Sequence, residues 1–163
     1  MKSLYLFRHG KSDWGADYTT DHDRPLAKRG RKAAKAMGKW LRKTEQEPDY
    51  VLCSTAVRTR QTLKRVAKTW TASPEIIYTD ALYEAEPEDV LHLLRRIPIQ
   101  AEDVMVIGHE PTSSALLSLL IGEAAVRFPT AAIARIDFPI LSWHQLDAGL
   151  GELIWFLPPR LMP

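Results

Sequence analysis

The sequence has a single cysteine, Cys53, and no long apolar segment. One cysteine excludes an intramolecular disulfide framework, so we expect a protein of a reducing compartment. The apolar run near the amino terminus, residues 4–7, is too short for a secretory signal, and no segment is long enough to span a bilayer. These absences predict a cytoplasmic protein that does not interact with membranes.

Internal repeats, low-complexity tracts and clusters of metal-ligating residues are also absent. His22, His92 and His144 have no companions at metal-ligand spacing, so we interpret them as ordinary surface or core residues and predict neither a metal nor a cofactor. The 163 residues, of which 45% are hydrophobic and 26% charged, fit one domain covering residues 1–163.

The net charge of +2 is small, but it is unevenly distributed. The segment from Leu26 to Lys43 contains eight basic residues and no acid. It is either the solvated face of an amphipathic helix, which we favour, or a docking surface for an acidic protein. No nucleic-acid-binding motif accompanies these charges, so we expect no nucleic-acid partner.

Short apolar runs alternate with segments of helical periodicity along the chain. The runs predict strands over 4–7, 50–53, 76–78 and 104–107, and the periodic segments predict helices over 25–44, 56–70, 87–96 and 111–121. Residues 132–138 and 151–157 partly alternate between apolar and polar, as antiparallel edge strands do. The pattern predicts an α/β domain with a mostly parallel central sheet and an antiparallel edge.

Polar side chains follow three of the predicted strands directly. Arg8 and His9 come after the first, Ser54 and Arg58 after the second, and His109 after the fourth. In parallel α/β sheets ligands bind beyond the carboxyl ends of the strands, close to helix amino termini that favour anions. Since the arginine fork matches phosphate oxygens, this grouping predicts a phosphate site.

Three motifs carry a family resemblance. Arg8-His9-Gly10 after an amino-terminal strand resembles the signature of the histidine phosphatase (phosphoglycerate mutase-like) superfamily. The segment 54–62, with a serine, an arginine and a Gln-Thr pair, resembles its second motif, and Gly108-His109-Glu110 resembles its last. Narrower marks resemble the SixA-like phosphohistidine phosphatase branch, namely Arg24-Pro25-Leu26 with Gly30, Leu82-Tyr83 with Ala85, and Pro111 after the last motif.

The resemblance implies a three-layer α/β sandwich, with His9 as nucleophile, Arg8 and Arg58 as phosphate ligands and His109 as a second pocket histidine. Ser54 is either a helix N-cap, a phosphate ligand, or both. Thr55 replaces a frequent proline of the superfamily, and Ala27 a frequent threonine. The long insertions of larger members are absent, so we expect an open pocket that accepts a phosphoryl group carried by a protein.

A histidine attacks phosphorus only when one ring nitrogen is unprotonated. We expect the arginines to lower the pKa of His9 by repulsion, and a backbone carbonyl to accept a hydrogen bond from the other ring nitrogen. Arg8, Arg58 and, if it is cationic, His109 would neutralise the phosphoryl group without a metal. Glu84 is a candidate general acid or merely an exposed residue before a helix, and Asp21 and Asp23 are its rivals.

The leading functional hypothesis is therefore a metal-independent phosphatase that removes phosphate from phosphohistidine in proteins, through a phospho-His9 intermediate. Its partner would be a phosphorylated protein, such as a phosphohistidine-bearing signalling protein. One alternative is a phosphomonoesterase acting on a small metabolite. Another, from a different class, is a module that binds phosphoproteins without turnover, although such a module has no need of a nucleophile.

Overall fold

A six-stranded mixed sheet crosses the computed structural model, which describes residues 1–162. In chain order the strands are β1 (Lys2–Arg8), β2 (Tyr50–Ser54), β3 (Glu75–Thr79), β4 (Asp103–Gly108), β5 (Ile133–Phe138) and β6 (Glu152–Leu157). They lie side by side in the order β3-β2-β4-β1-β5-β6. The first four are parallel, whereas β5 is antiparallel to β1 and β6 to β5. The predicted sheet is thus confirmed, including its antiparallel edge.

Helices cover both faces of the sheet, which confirms the three layers. Helices α1 (Lys28–Lys43) and α2 (Val57–Ala67) lie on one face, and α3 (Pro87–Leu94) and α4 (Thr112–Ile121) on the other. Alternate residues of β1 serve the two cores: Tyr5 packs in the α1–α2 core and Leu6 in the α3–α4 core. Burial on both faces explains why the parallel strands read as continuous apolar runs.

Helix α1 begins at Lys28, so the prediction that it starts at Pro25 is wrong. The residues before it are bound to the loop after β1 and to α2 instead: Pro25 accepts a hydrogen bond from the Asp13 N–H at 2.8 Å, and the Leu26 N–H donates to Gln61 Oε1 of α2 at 2.8 Å. The buried side of α1 follows the helical period, and its lysines point to solvent. No helix within residues 1–162 is long and apolar enough to cross a membrane.

Two glycines hold the loop after β1 against the start of α1. A Cβ on Gly10 would lie 2.7 Å from the carbonyl oxygen of Gly30, and a Cβ on Gly30 would overlap the carbonyl oxygen of Lys11. The Gly10 N–H also donates to Thr62 Oγ1 of α2 at 3.0 Å. These contacts fix the backbone that carries His9.

The sheet brings the three predicted polar segments together. Arg8 at the end of β1 pairs with Gly108 at the end of β4, and Cys53 of β2 pairs with Ile107 of β4. Their carboxyl ends therefore share one edge, with the first turns of α2 and α4 beside them. Cys53 itself is fully buried and faces the α1–α2 core.

Candidate active site

His9 is buried, with 6% of its surface exposed, immediately beyond β1. Its Nδ1 lies 2.6 Å from the carbonyl oxygen of Gly10, as expected of a backbone acceptor. Since a carbonyl can only accept, Nδ1 carries the proton and Nε2 keeps its lone pair. The Arg58 Nε–H points at this Nε2 from 3.3 Å. The ring is therefore held in the tautomer that a nucleophile requires.

The pKa of His9 is lowered to about 3, mainly by burial. Its hydrogen bond to Gly10 acts in the opposite direction, while His109, Arg58 and Arg8 lower the pKa further by repulsion. The expected repulsion by the arginines is present, but burial contributes more to the lowered pKa. His9 is neutral throughout the physiological pH range.

Arg58 is 5% exposed and lies in the first turn of α2. All three of its guanidinium nitrogens have partners: Nε faces His9, one terminal nitrogen donates to the Asp21 carbonyl at 2.7 Å, and the other donates to Asp21 Oδ2 at 3.1 Å. Thr62, one turn on, accepts from Gly10 and donates to the Arg58 carbonyl at 2.7 Å. The Gln-Thr pair of the second motif thus supports neighbouring backbone.

Arg8 is half-buried at the end of β1. One terminal nitrogen donates to the carbonyl of Phe128 at 2.8 Å, and Nε is buried without a partner among residues 1–162. Burial lowers the pKa of Arg8 and the carboxylate of Glu110 raises it, but arginine stays cationic in either case. Arg8 therefore brings a positive charge with an uncommitted donor.

His109 follows β4, and its ring centre lies 5.3 Å from that of His9. Burial lowers its pKa to about 4, with further repulsion from Arg58. The condition that His109 is cationic is therefore not met at neutral pH. Its Nε2 lies 2.8 Å from Ser54 Oγ, whereas Nδ1 is buried without a partner among the described residues.

Ser54 is fully buried at the end of β2 and contacts His109. It is not the N-cap of α2, a position held by Ala56, although its Oγ accepts from the Ala56 N–H at 3.3 Å. When Ser54 donates to His109 Nε2, the proton of the neutral ring must lie on Nδ1. Ser54 then selects the tautomer of His109.

Asp21 links three side chains at the mouth of the site. Its carboxylate accepts from the Tyr83 hydroxyl at 2.6 Å, from Arg24 at 2.8 Å and from Arg58. The Tyr83 hydrogen bond, followed by Arg24 and Arg58, holds the pKa of this carboxyl well below its usual range. Asp21 is the counter-ion of the arginines, and a carboxylate held ionised is a poor proton donor.

The two remaining acid candidates are exposed. Glu84 is exposed, has a left-handed backbone (φ 55°) and lines a cavity beside Tyr83. Asp23 is exposed, accepts from the Thr20 hydroxyl at 3.0 Å and does not line that cavity. Glu84 is thus the candidate acid that faces the cavity without an arginine partner among residues 1–162.

The cavity has a volume of about 330 Å³ and a mixed-charge wall. His9, Arg8 and Ser54 are not among the residues that line this cavity. Within residues 1–162 no group of three or more His, Cys, Asp or Glu could hold a metal ion. The residues that carry polar groups on the wall are Asp21, Arg58, Tyr83, Glu84, Glu86, His109, Glu110 and Thr112.

Sequence reasoning missed two residues at the site's edge. His22 was interpreted as ordinary, yet its Nε2 lies 3.0 Å from Thr55 Oγ1 and its ring centre 4.9 Å from that of Tyr83. Tyr83 was noted as a branch mark, but without a role. A hint was available in their neighbours, because His22 stands next to Asp21 and two residues before the Arg24 mark.

Comparison with known proteins identifies relatives over almost the whole chain. A family model, the histidine phosphatase superfamily (branch 1), matches residues 4–93. An uncharacterized protein of Mycobacterium tuberculosis is 40% identical, and the alignment covers 94% of this chain and 99% of that protein. The phosphohistidine phosphatase SixA of Escherichia coli is 28% identical, with coverage of 96% and 93%.

Solved structures agree with these sequence matches. A Nakamurella multipartitia protein provisionally named phosphohistidine phosphatase SixA superposes with a TM-score of 0.86 at 31% identity, covering 97% of this chain and 96% of that one. The protein histidine phosphatase SixA, solved with tungstate, superposes with a TM-score of 0.84 at 26% identity, covering 97% of both chains.

Proposed function

The chain belongs to the histidine phosphatase superfamily and to its SixA-like branch, and from this premise we propose that it is a phosphatase that removes phosphate from phosphohistidine in proteins. His9 is the nucleophile, and a phospho-His9 intermediate is then hydrolysed. The observation that carries the proposal is the arrangement of His9: its Nδ1 is bonded to the Gly10 carbonyl, so an unprotonated Nε2 faces the Arg58 guanidinium.

In the first step, the lone pair of His9 Nε2 attacks phosphorus in line with the bond to the leaving group. The new N–P bond forms as the old bond breaks, and the leaving group keeps the electron pair and takes up a proton from solvent. The Arg58 Nε–H, which faces His9 Nε2 in this structure, then donates its hydrogen bond to a phosphoryl oxygen instead. Arg8 supplies the second cation through its uncommitted Nε.

In the second step, water attacks the phosphorus of phospho-His9, and the new O–P bond forms as the N–P bond breaks. The electron pair returns to Nε2, which restores neutral His9, and the water proton passes to solvent as inorganic phosphate leaves. Neutral His109 contributes a hydrogen bond from Nδ1 rather than a charge, since Ser54 occupies its Nε2. Asp21 keeps Arg58 and Arg24 in place. Two arginines then neutralise the phosphoryl charge without requiring a metal.

A protein-borne phosphohistidine is the substrate that these groups favour. Its leaving imidazole departs with little help from an acid, whereas an alkyl oxygen needs a well-placed proton donor. Asp21 is held ionised and Glu84 is exposed. Two relatives named for SixA, one by sequence and one by structure, support the same substrate class.

A small phosphorylated metabolite is the second candidate. Glu84, Glu86 and Glu110 line the cavity, and any of them could protonate an alkyl oxygen. A 6-phosphofructo-2-kinase/fructose-2,6-bisphosphatase of Caenorhabditis elegans is 32% identical over 110 residues, which cover 63% of this chain and 22% of that protein. A binding module without turnover is disfavoured by the intact nucleophile.

His9→Ala tests the mechanism. We expect turnover of an aryl phosphate to fall by several orders of magnitude, because the variant lacks the nucleophile that forms the covalent intermediate. Wild-type enzyme quenched during turnover should carry phosphate on His9 that is labile to acid and stable to base. Phosphate on Ser54, or undiminished turnover by the variant, would refute the assignment.

Metal independence has its own test. Because Arg8 and Arg58 neutralise the phosphoryl charge, turnover of an aryl phosphate should be unchanged after exhaustive chelation, and vanadate should inhibit competitively. Loss of activity in EDTA with recovery on adding a divalent metal would require a different mechanism.

A further inference from the structure

A second cavity, of about 670 Å³, lies between α1 and the segment that follows β6. Its size is typical of ligand-binding pockets. Part of its lining is apolar, including Ala33 and Ala36 of α1 and Phe156 of β6. No Asp or Glu of residues 1–162 lines it. We call it the basic cleft, after its five cations: Lys11, Arg29, Lys32, Arg127 and Arg160.

The five cations of the basic cleft are exposed. Within residues 1–162, none of their side chains forms a hydrogen bond or a salt bridge across the cleft or elsewhere. Like charges around an apolar surface repel one another and attract an anion. Lys35 and Lys39 of the same helix do not line the cleft, so its charges are a distinct part of the basic face of α1.

The basic cleft adjoins the reaction centre. Lys11 lies two residues after His9, and the Ala131 N–H donates to the carbonyls of both Arg8 (3.1 Å) and His9 (2.9 Å). Thr130, next to Ala131, lines the cleft. The sheet register sets the end of β6 beside the start of β5, and the start of β5 beside the end of β1. Both cavities therefore open at the same sheet edge.

We propose that the basic cleft docks an acidic segment of the phosphorylated protein, with apolar side chains among its carboxylates, while the phosphoryl group enters at His9. The inference rests on the proposed function and adds how the partner is recognised. Charge complementarity favours this occupant, because its carboxylates would pair with the five cations of the basic cleft and its apolar side chains would cover the apolar lining. Inorganic polyphosphate would leave the apolar lining uncovered.

Two synthetic histidine peptides of equal length, phosphorylated with phosphoramidate, provide the test. One carries glutamates and leucines beside the histidine, and the other has glutamine in place of each glutamate. We expect wild-type kcat/KM to be at least about tenfold higher for the acidic peptide, mostly through KM, with a preference that shrinks as salt is added.

Two double variants with the same charge change show which cations cause the preference for the acidic peptide. Arg29→Glu with Lys32→Glu should reduce the preference to about twofold or less, whereas Lys35→Glu with Lys39→Glu, on the same helix and with the same charge change, should retain it. Arg127→Glu, outside the helix, should act like the first pair. Turnover of a small aryl phosphate should be equal in all of them. Equal losses in both pairs, or no wild-type preference, would overturn docking in the cleft.

Failure of the proposed function would look different. The enzyme would then turn over the aryl phosphate but neither phosphohistidine peptide. Docking would still be tested by calorimetric titration of the unphosphorylated acidic peptide, which should bind wild type and not the Arg29→Glu, Lys32→Glu variant. Absence of binding to wild type would overturn the docking site independently of the substrate.

Discussion

Arg58 and Arg29 are each the second residue of a helix at the same edge of the sheet, but they are held differently. Arg58 is buried, and all three of its guanidinium nitrogens have partners. Arg29 is exposed, and its side chain has no partner within residues 1–162. Phosphoryl transfer needs donors fixed before the reaction, whereas docking tolerates charges that adjust to the partner. The cavity at His109 accordingly has donors fixed by partners, whereas the basic cleft has exposed charges without partners within residues 1–162.

Acid should affect the region around His9 and His109 far more than the basic cleft, and the effect should appear in the stability of the protein. The pKa values of His9 and His109 are lowered to about 3 and about 4, so the folded protein leaves both neutral while the unfolded chain takes up protons below about 6.5. The free energy of unfolding should therefore fall as pH decreases from about 6.5 to 4. Between pH 7 and pH 5 the free energy of unfolding should decrease by at most about 4 kcal/mol.

Denaturant titration at pH 7 and pH 5 measures this loss. His9→Asn should remove about half of it, since one of the two buried histidines no longer titrates. Arg29→Ala should leave the whole of it, because the basic cleft holds no group that titrates in this range. An unchanged acid loss in His9→Asn would show that the pKa of His9 is not lowered in the folded protein.

The backbone between the two regions should be the next most sensitive. Gly30→Ala would force a Cβ onto the Lys11 carbonyl, and overpacking of this kind costs roughly 2–3 kcal/mol. Gly15→Ala is the control, because a Cβ there lies 3.5 Å from Asp13 Oδ1, an ordinary contact. Thermal unfolding measures the stability of both variants. Equal stability would mean that the loop carrying His9 shifts easily to accommodate the added Cβ.

The sequence predicts β1, β2 and β4 well because strands buried on both faces are apolar throughout, and it predicts Arg8, His9, Arg58 and His109 because each follows such a strand or begins the next helix. The sequence does not predict the hydrogen-bond network of Asp21. Tyr83 lies 62 residues from Asp21, and their meeting depends on how two irregular loops fold onto each other. The sequence does not predict the basic cleft either, since only the sheet order brings the end of β6 to α1.

The two arginines should respond unequally to the same conservative change. Arg58→Lys keeps the charge but loses the fork that engages His9 and Asp21 together, so turnover of an aryl phosphate should fall at least about tenfold, or about 1.4 kcal/mol. Arg29→Lys should change kcat/KM for the acidic phosphohistidine peptide by less than about twofold, because lysine keeps the charge and docking does not depend on the planar fork of arginine. Near-native kinetics of Arg58→Lys would assign the second phosphate ligand elsewhere.

The smallest effect expected is that of Glu84→Gln on phosphohistidine turnover. Because an imidazole leaves phosphorus without a strong acid, kcat should change by less than about threefold, and slow wild-type turnover of alkyl phosphates is the companion expectation. Glu86→Gln, on the same cavity wall, is the matched control. Steady-state kinetics on a phosphohistidine peptide and on a small alkyl phosphate separate the two substrate classes. Fast hydrolysis of the alkyl phosphate that falls tenfold or more in Glu84→Gln, but not in Glu86→Gln, would make Glu84 a general acid. The site beside His109 would then be that of a metabolite phosphatase, and its fixed groups would include a proton donor as well as the two arginines.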